Sequence, residues 1–244
     1  MSFSDFLIAR TFLQTAKALK HHLRVANAKM HFKRLGLGYM NSLFEGKHVA
    51  IVAGSPQLVG KGKGREIDGH DLVVRFNLFH PTGRENDLGV RTDVRFVGCT
   101  LVDKHMPYIS NLMGAEQIIT TSKNYSFMKD LDVKCLYFPA FAPILSFDWL
   151  AKVCQGKLER VRSNRPPRSG IVFLSMLMKY GAPARITLYG FSMSLVHARQ
   201  VIDYTAPCIS TYDADRYLIN HCDPAIEVSL LRQLKQLEKI YVGG

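Results

Sequence analysis

Two short segments carry side chains of the right type for group transfer. His221 lies in the run Asn220-His221-Cys222-Asp223-Pro224, and Glu227 follows shortly after. A histidine in the loop before a helix can present a ring nitrogen to a cleft and act as a general base near neutral pH. The plain alternative is an exposed loop histidine, one of the nine in the chain. The second segment is Ser169-Gly170, which follows a basic connection holding Arg160, Arg162, Arg165 and Arg168. Ser169 reads as the N-cap of an apolar helix running to Tyr180. The first N–H groups of a helix have no partner within it and its dipole favours an anion. A phosphate could be held there without a metal; otherwise Ser169 only caps the helix and the arginines are solvated.

These groups need a frame. The stretch from Val49 to Val97 opens with a short apolar run, Val49 to Ala53, stopped by Gly54-Ser55-Pro56. The glycine-rich, basic loop Gly60-Lys61-Gly62-Lys63-Gly64 follows, then Leu72 to Phe76, ended by Asn77, and Val94 to Val97. Runs this short and rich in β-branched residues read as buried strands. Further strands are expected at Gln117–Thr120, Val133–Phe138 and Ile186–Tyr189, the last ended by Gly190, and a helix at Phe147–Leu158. Pro224 at the first helical position behind Asp223 starts a C-terminal helix, with Leu230, Leu231, Leu234, Leu237 and Tyr241 as its apolar side. Strands alternating with helices predict an α/β fold: a single Rossmann-like domain over 48–244, with a mostly parallel sheet flanked by helices. In such sheets ligands sit at the carboxyl ends of strands. Gly54 and Asn77 both occupy such ends, so both could face one crevice.

With 244 residues the chain can bury one sizeable core. Its net charge of +12 and pI near 9.6 predict an anionic partner. The five cysteines are odd in number and widely spaced, without a CxxC pair. That argues against a zinc site or a disulfide framework and fits a reducing compartment. No transmembrane-length apolar stretch and no signal peptide is present, so a cytoplasmic protein is expected. Residues 1–47 form a basic arm in which eight Lys or Arg face only Asp5 and Glu45, with apolar residues at helical spacing. It reads as an amphipathic helix that packs on the core, or one that lies on an anionic membrane surface through residues 1–34, for instance at the inner membrane face. A presequence is a third reading.

Together the segments resemble the sialylmotifs of the animal-type sialyltransferases. Val49 through Asn77, with Ile67-Asp68, His70-Asp71 and the Arg75-x-Asn77 pair, then Asp87-x-Gly89 and Arg91-Thr92, look like the large motif. Arg168-Ser169-Gly170 through Tyr189-Gly190-Phe191 is similar to the small motif, and His221 with Glu227 resembles the very small one. The resemblance implies a glycosyltransferase-A variant fold and an inverting, metal-independent transfer without a cofactor. The donor would be CMP-sialic acid or a related CMP-activated sugar acid such as CMP-Kdo, and the acceptor a glycan or glycolipid. By position, Asn77 would hold the CMP part, with Gly54, Ser55, Gln57, Ser169, Gly170, Tyr189 and Gly190 around the donor. His221 would take the acceptor proton, and Arg75, Asp87 and Glu227 would support the site. CMP leaves as a phosphate monoester, for which helix N–H groups and a cation can suffice.

The chain departs from the family pattern at Gly54-Ser55-Pro56-Gln57, where relatives carry an asparagine-containing turn. It also lacks the cysteines that join the large and small motifs of the animal enzymes, as expected of a bacterial-type member. A His-Tyr-Tyr-type motif is not evident; Ser210-Thr211-Tyr212-Asp213 is its nearest counterpart. Two rival readings remain. Asp213-Ala214-Asp215 is a DxD, the manganese signature of nucleotide-diphosphate-sugar transferases, although so short a match also describes a surface turn. A nucleic-acid-binding module would fit the charge, but no RNP, KH or zinc pattern is present. The loop Gly60–Gly64 matches neither the P-loop nor the dinucleotide fingerprint.

Overall fold

The computed structural model describes residues 37–54, 56–77, 81–98, 115, 117–120, 134–137, 150, 154, 167–194 and 224–243. Seven strands form: β1 (His48–Val52), β2 (Leu72–Phe76), β3 (Val94–Val97), β4 (Gln117–Thr120), β5 (Lys134–Tyr137), β6 (Arg185–Tyr189) and β7 (Tyr241–Gly243). They pair in the order β5-β4-β3-β2-β1-β6-β7, and every pair is parallel. The sheet expected to be mostly parallel is therefore wholly so among the described strands. The chain steps from β1 outward to β5 and then returns to β6 on the other side of β1. The strand order thus reverses between β1 and β6, and in open sheets this reversal opens a crevice at the carboxyl ends.

Among the described residues, five helices with full ranges accompany the strands: α1 (Leu37–Phe44), α2 (Gly64–Asp68), α3 (Glu85–Leu88), α4 (Ser169–Tyr180) and α5 (Pro224–Gln236). Alternate strand residues feed two apolar layers. Val49, Ile51, Val74, Val94, Phe96, Ile186 and Leu188 face the larger one, with α4. Ala50, Val52, Val73 and Tyr189 face a smaller one with Leu58, Ile67 and Leu88. Burial on both faces explains why these strands read as mostly apolar runs. Within α4 every residue from Ile171 to Leu177 is buried. It packs beside α1, whose Met40 and Phe44 are fully covered, with Phe44 edge-on to Phe173 at 5.9 Å. The end of the basic arm therefore belongs to the main core; residues 1–36 lie outside the described residues.

Three expectations need correction. Ser169 is the first helical residue of α4, not its N-cap. Arg168 holds the cap position in extended conformation (φ −65, ψ 155), and its carbonyl accepts the N–H groups of Ile171 and Val172 at 2.9 and 3.0 Å. Gly64 is not loop but opens α2, and it packs so close to α3 that a Cβ there would lie 2.8 Å from the Asn86 carbonyl. Leu237 and Tyr241 do not extend the apolar side of the C-terminal helix. Both are exposed, and Tyr241 begins β7. The helix stops because Glu238 turns left-handed (φ 52) and a Schellman pair forms, Lys239 N–H to the Leu234 carbonyl at 2.9 Å and Glu238 N–H to that of Lys235 at 3.0 Å. Of Phe147–Leu158, Leu150 is helical and Cys154 lies in a turn, both buried; the rest lies outside the described residues.

Candidate active site

The charged residues between β1 and β3 act first on one another. Asp68 accepts the N–H groups of Val90 and Arg91 at 2.8 and 3.0 Å, and Asp71 that of His48 at 2.8 Å. Asp93, nearly covered, accepts from Val73 N–H at 2.6 Å and from Arg91 Nε at 2.9 Å. Arg91 also donates to the carbonyls of Asp68, His70 and Asp71. Arg75, fully buried, donates Nε to the Arg91 carbonyl at 2.9 Å and Nη2 to that of Leu88 at 2.6 Å, with Asp68 at 3.9 Å. Burial lowers its guanidinium to about 10, and the Asp68 and Asp93 charges oppose that fall. Buried polar groups are tolerated because they are bonded. This lattice fixes how β2 and β3 leave the core.

Asp87 explains the glycine-rich loop. Its two oxygens accept the N–H groups of Gly60 and Gly62, each at 2.8 Å, with both glycines in the left-handed region (φ 75 and 62). These bonds, Gly60 first, hold its carboxyl below the ordinary aspartate value. The concavity formed by the loop's N–H groups is thus filled by a carboxylate of the chain itself.

The sheet's carboxyl edge gathers several of the expected residues. Gly54 follows β1, Asn77 follows β2, and Gly190 (φ 67) follows β6. Gly190 lies so close to Ala53 that a Cβ would come 3.1 Å from the Ala53 carbonyl carbon. Asn77, a left-handed non-glycine residue (φ 49), donates its N–H to the Phe96 carbonyl at 2.9 Å. Its Oδ1 accepts from Gly98 N–H at 3.2 Å. Gly98 in turn abuts the start of α4, since a Cβ on it would lie 2.7 Å from Ser169 Oγ. A Cβ on Gly170 would strike the Phe191 ring at 2.8 Å. Asn77, Ser169, Gly170 and Gly190 thus share one edge, over a floor of rings in which Phe76 meets Phe96, Phe173 and Phe191 edge-on. Gln57 sits on the 3-10 turn Pro56–Leu58 that follows Gly54.

Tyr189 is elsewhere. Its side chain is 1% exposed in the smaller apolar layer, donates its hydroxyl to Glu66 at 2.7 Å and packs edge-on to His70. Burial and the Glu66 bond push that hydroxyl well above its ordinary range. Its side chain therefore adds nothing to the edge, because as the second of two alternating residues it points to the opposite face from Leu188. Ser55, His221, Asp213 and Asp215 lie outside the described residues.

Glu227 links the two later segments. Its carboxylate, 1% exposed, accepts the backbone N–H of Arg168 at 2.7 Å and also the Arg168 Nε, so α5 is pinned to the cap of α4. A capping-box carboxylate does the same to its own N-cap; here a distant helix supplies it. Gly98 and Arg95 were missed by sequence reasoning. Gly98 obeys the same rule that found Gly54, a glycine directly after an apolar run. Arg95 carried a signal as well, a cation inside a strand of buried residues.

The comparisons with known proteins fall on this frame. Residues 44–137, from the end of α1 to the end of β5, match the model of glycosyltransferase family 29 (sialyltransferase). A "sialyltransferase-like protein 2" of Oryza sativa subsp. indica is 42% identical over 53 residues, 22% of this chain and 13% of the relative. A "beta-galactoside alpha-2,6-sialyltransferase 2" of Takifugu rubripes is 38% identical over 56 residues, 23% of this chain and 10% of that protein. The matched stretches are thus a small part of these relatives' lengths. A mammalian sialyltransferase solved with Gal-beta-1-3GalNAc-ortho-nitrophenol shares the fold, with a TM-score of 0.52 at 19% identity over 81% of this chain and 69% of that one. Over the matched segment the chain is thus similar to glycosyltransferase family 29 (sialyltransferase), and its sheet shares the fold of the solved mammalian sialyltransferase.

Proposed function

We propose that the protein transfers sialic acid from CMP-sialic acid to a hydroxyl of a glycan or glycolipid, with inversion and without a metal. One observation carries the reading: the family-matched segment supplies β1 to β3, whose carboxyl edge meets the first residues of α4. Asn77 is the contact to the CMP part, and the N–H groups of Ser169 and Gly170 face its single phosphate. His221 is the general base, a role that contributes on the order of 10²–10⁴-fold in rate. It precedes Pro224 by three residues, so its Cα lies within about 11 Å of the start of α5. The Glu227–Arg168 contact keeps that start beside α4. The basic residues of 1–34 would bring the enzyme to an anionic membrane face in the cytoplasm.

CMP in EDTA tests the donor. At a hundred times its dissociation constant a ligand stabilises by about 2.7 kcal/mol, roughly 5–11 °C in Tm for a chain of this size. UDP with manganese, or an oligonucleotide, should give no shift; stabilisation by UDP and manganese alone would overturn the reading in favour of the DxD. CMP release from CMP-Neu5Ac against CMP-Kdo then decides the sugar, with turnover of CMP-Neu5Ac expected. His221→Ala should bind CMP as the parent does and lose transfer; full activity in it would remove the base.

A further inference from the structure

Arg95 is a buried cation in the middle of β3, 2% exposed and directly opposite Arg75 in the parallel register of β2 and β3. Its burial and the neighbouring Arg75 charge both lower its guanidinium, to about 10. A strand that packs apolar residues on both faces gains nothing from such a group unless it holds something. Its Nη1 donates to the carbonyl of Asn77 at 3.0 Å. Asn77 is one of only three non-glycine residues with positive φ among the described residues, and the only one at the sheet's carboxyl edge. Left-handed geometry at such a residue persists where its surroundings over-determine it. Here β3 and its end supply all three ties: Phe96 to the N–H, Arg95 to the carbonyl, and Gly98 to the side chain.

The third tie fixes the sense of the amide. Gly98 N–H can only donate, so the Asn77 atom facing it must be the carbonyl oxygen. The Nδ2 group is then turned away from Gly98, and no described residue accepts from it. We infer that Arg95 is a positioning residue for the donor site, holding Asn77 left-handed so that its amide offers hydrogen-bond donors to an acceptor on the nucleotide. This rests on the CMP reading above and deepens it: the atom met by Asn77 is an acceptor, a phosphate or pyrimidine carbonyl oxygen, rather than an amino or hydroxyl hydrogen.

The experiment is a double-mutant cycle on CMP affinity, measured by calorimetry well below the melting temperature of every variant. Arg95→Met should weaken CMP binding about tenfold when Asn77 is present and leave it unchanged in Asn77→Gly, which has no amide to orient. Tm should fall by the same amount in both backgrounds, since the buried tie is lost in each. A merely structural arginine would lower Tm and leave affinity per folded molecule intact in both; that result overturns the inference, as does an equal loss of affinity in both. If Arg95→Met does not fold, Arg95→Lys is read in the same cycle, since a shorter ammonium lacks the fork that reaches the Asn77 carbonyl. Asn77→Asp keeps an oxygen for Gly98 but has no donor, and must bind CMP more weakly than Asn77→Gly; equal or better binding refutes the donor sense. Failure of the parent protein to bind CMP at all would instead count against the proposed function.

Discussion

Replacing Glu227 by alanine removes one carboxylate from two groups of Arg168, its backbone N–H and its Nε. The Glu227 side chain is 1% exposed and that of Arg168 22%. Breaking a buried ion pair by deleting one partner costs about 3–5 kcal/mol. Arg168 keeps some access to water, so the lower end applies, about 3 kcal/mol. For a chain of this size each kcal/mol lowers Tm by roughly 2–4 °C, which gives a fall of about 6–12 °C. Glu227→Gln retains one carbonyl oxygen for the N–H and loses the charge-assisted bond, worth about 1.5–3 kcal/mol. The fall should persist at 1 M salt, because a covered pair is screened little, whereas a surface pair would lose its effect. Thermal unfolding followed by fluorescence at low and high salt measures both. A fall for Glu227→Ala below about 2 °C, or one abolished by salt, refutes the argument that this contact ties α5 to α4.

Two further outcomes follow from the lattice around α2 and α3. The Asp87 carboxyl is depressed in the folded protein, so its contribution is fully present above the ordinary aspartate value of 3.8 and is lost as pH falls through the lower folded value. Asp87→Asn should therefore flatten part of the decline of Tm between about pH 5 and pH 2, and identical slopes would count against the loop clasp. Gly89→Ala should destabilise more than Gly60→Ala in urea, since both carry positive φ but only at Gly89 would a Cβ crowd Asp68, 2.7 Å from its Cγ. Gly60 meets open space and incurs only left-handed strain, about 1–2 kcal/mol. Equal midpoints would show that Asp68 yields.

Much of this frame was legible before any coordinates. Short β-branched runs, each followed by glycine or asparagine, gave away β1, β2, β3 and β6, because strands covered on both faces carry few polar residues, Arg75 and Arg95 being the buried charged exceptions. Pro224 located the start of α5 to the residue. Its end was illegible, since the signal at the stop is a left-handed Glu238 where sequence rules look for glycine. The N-cap of α4 was misread for a related reason. Caps are recognised by a local oxygen-bearing side chain, and this one comes from Glu227, 59 residues downstream. Tyr189 shows a third limit: a motif that spans a strand includes residues of both faces, and only the pleat decides which of them reach the site.

Asp87 changes how the charged and glycine residues of this region are to be read. Glycine-rich basic loops bind phosphate because left-handed glycines turn successive N–H groups into one concavity. Gly60 and Gly62 do so here, yet the concavity is filled by a carboxylate from α3. A phosphate would have to displace an anion that two backbone donors already hold, so a nucleotide gains nothing by approaching there. The same holds for Asp68, Asp93, Arg75 and Arg91, whose hydrogen bonds to described residues run to the chain itself. Among the described residues, the groups that the proposed function assigns to the donor are those at the carboxyl edge, where Asn77 has its amide and α4 its first N–H groups. The charged residues of the matched segment thus divide by where their bonds go. Those of the lattice set the angle at which β2 and β3 reach the edge, and a change in them must lower stability before it lowers affinity. On the proposed donor site the few at the edge would carry recognition, and a change there would alter affinity with stability intact.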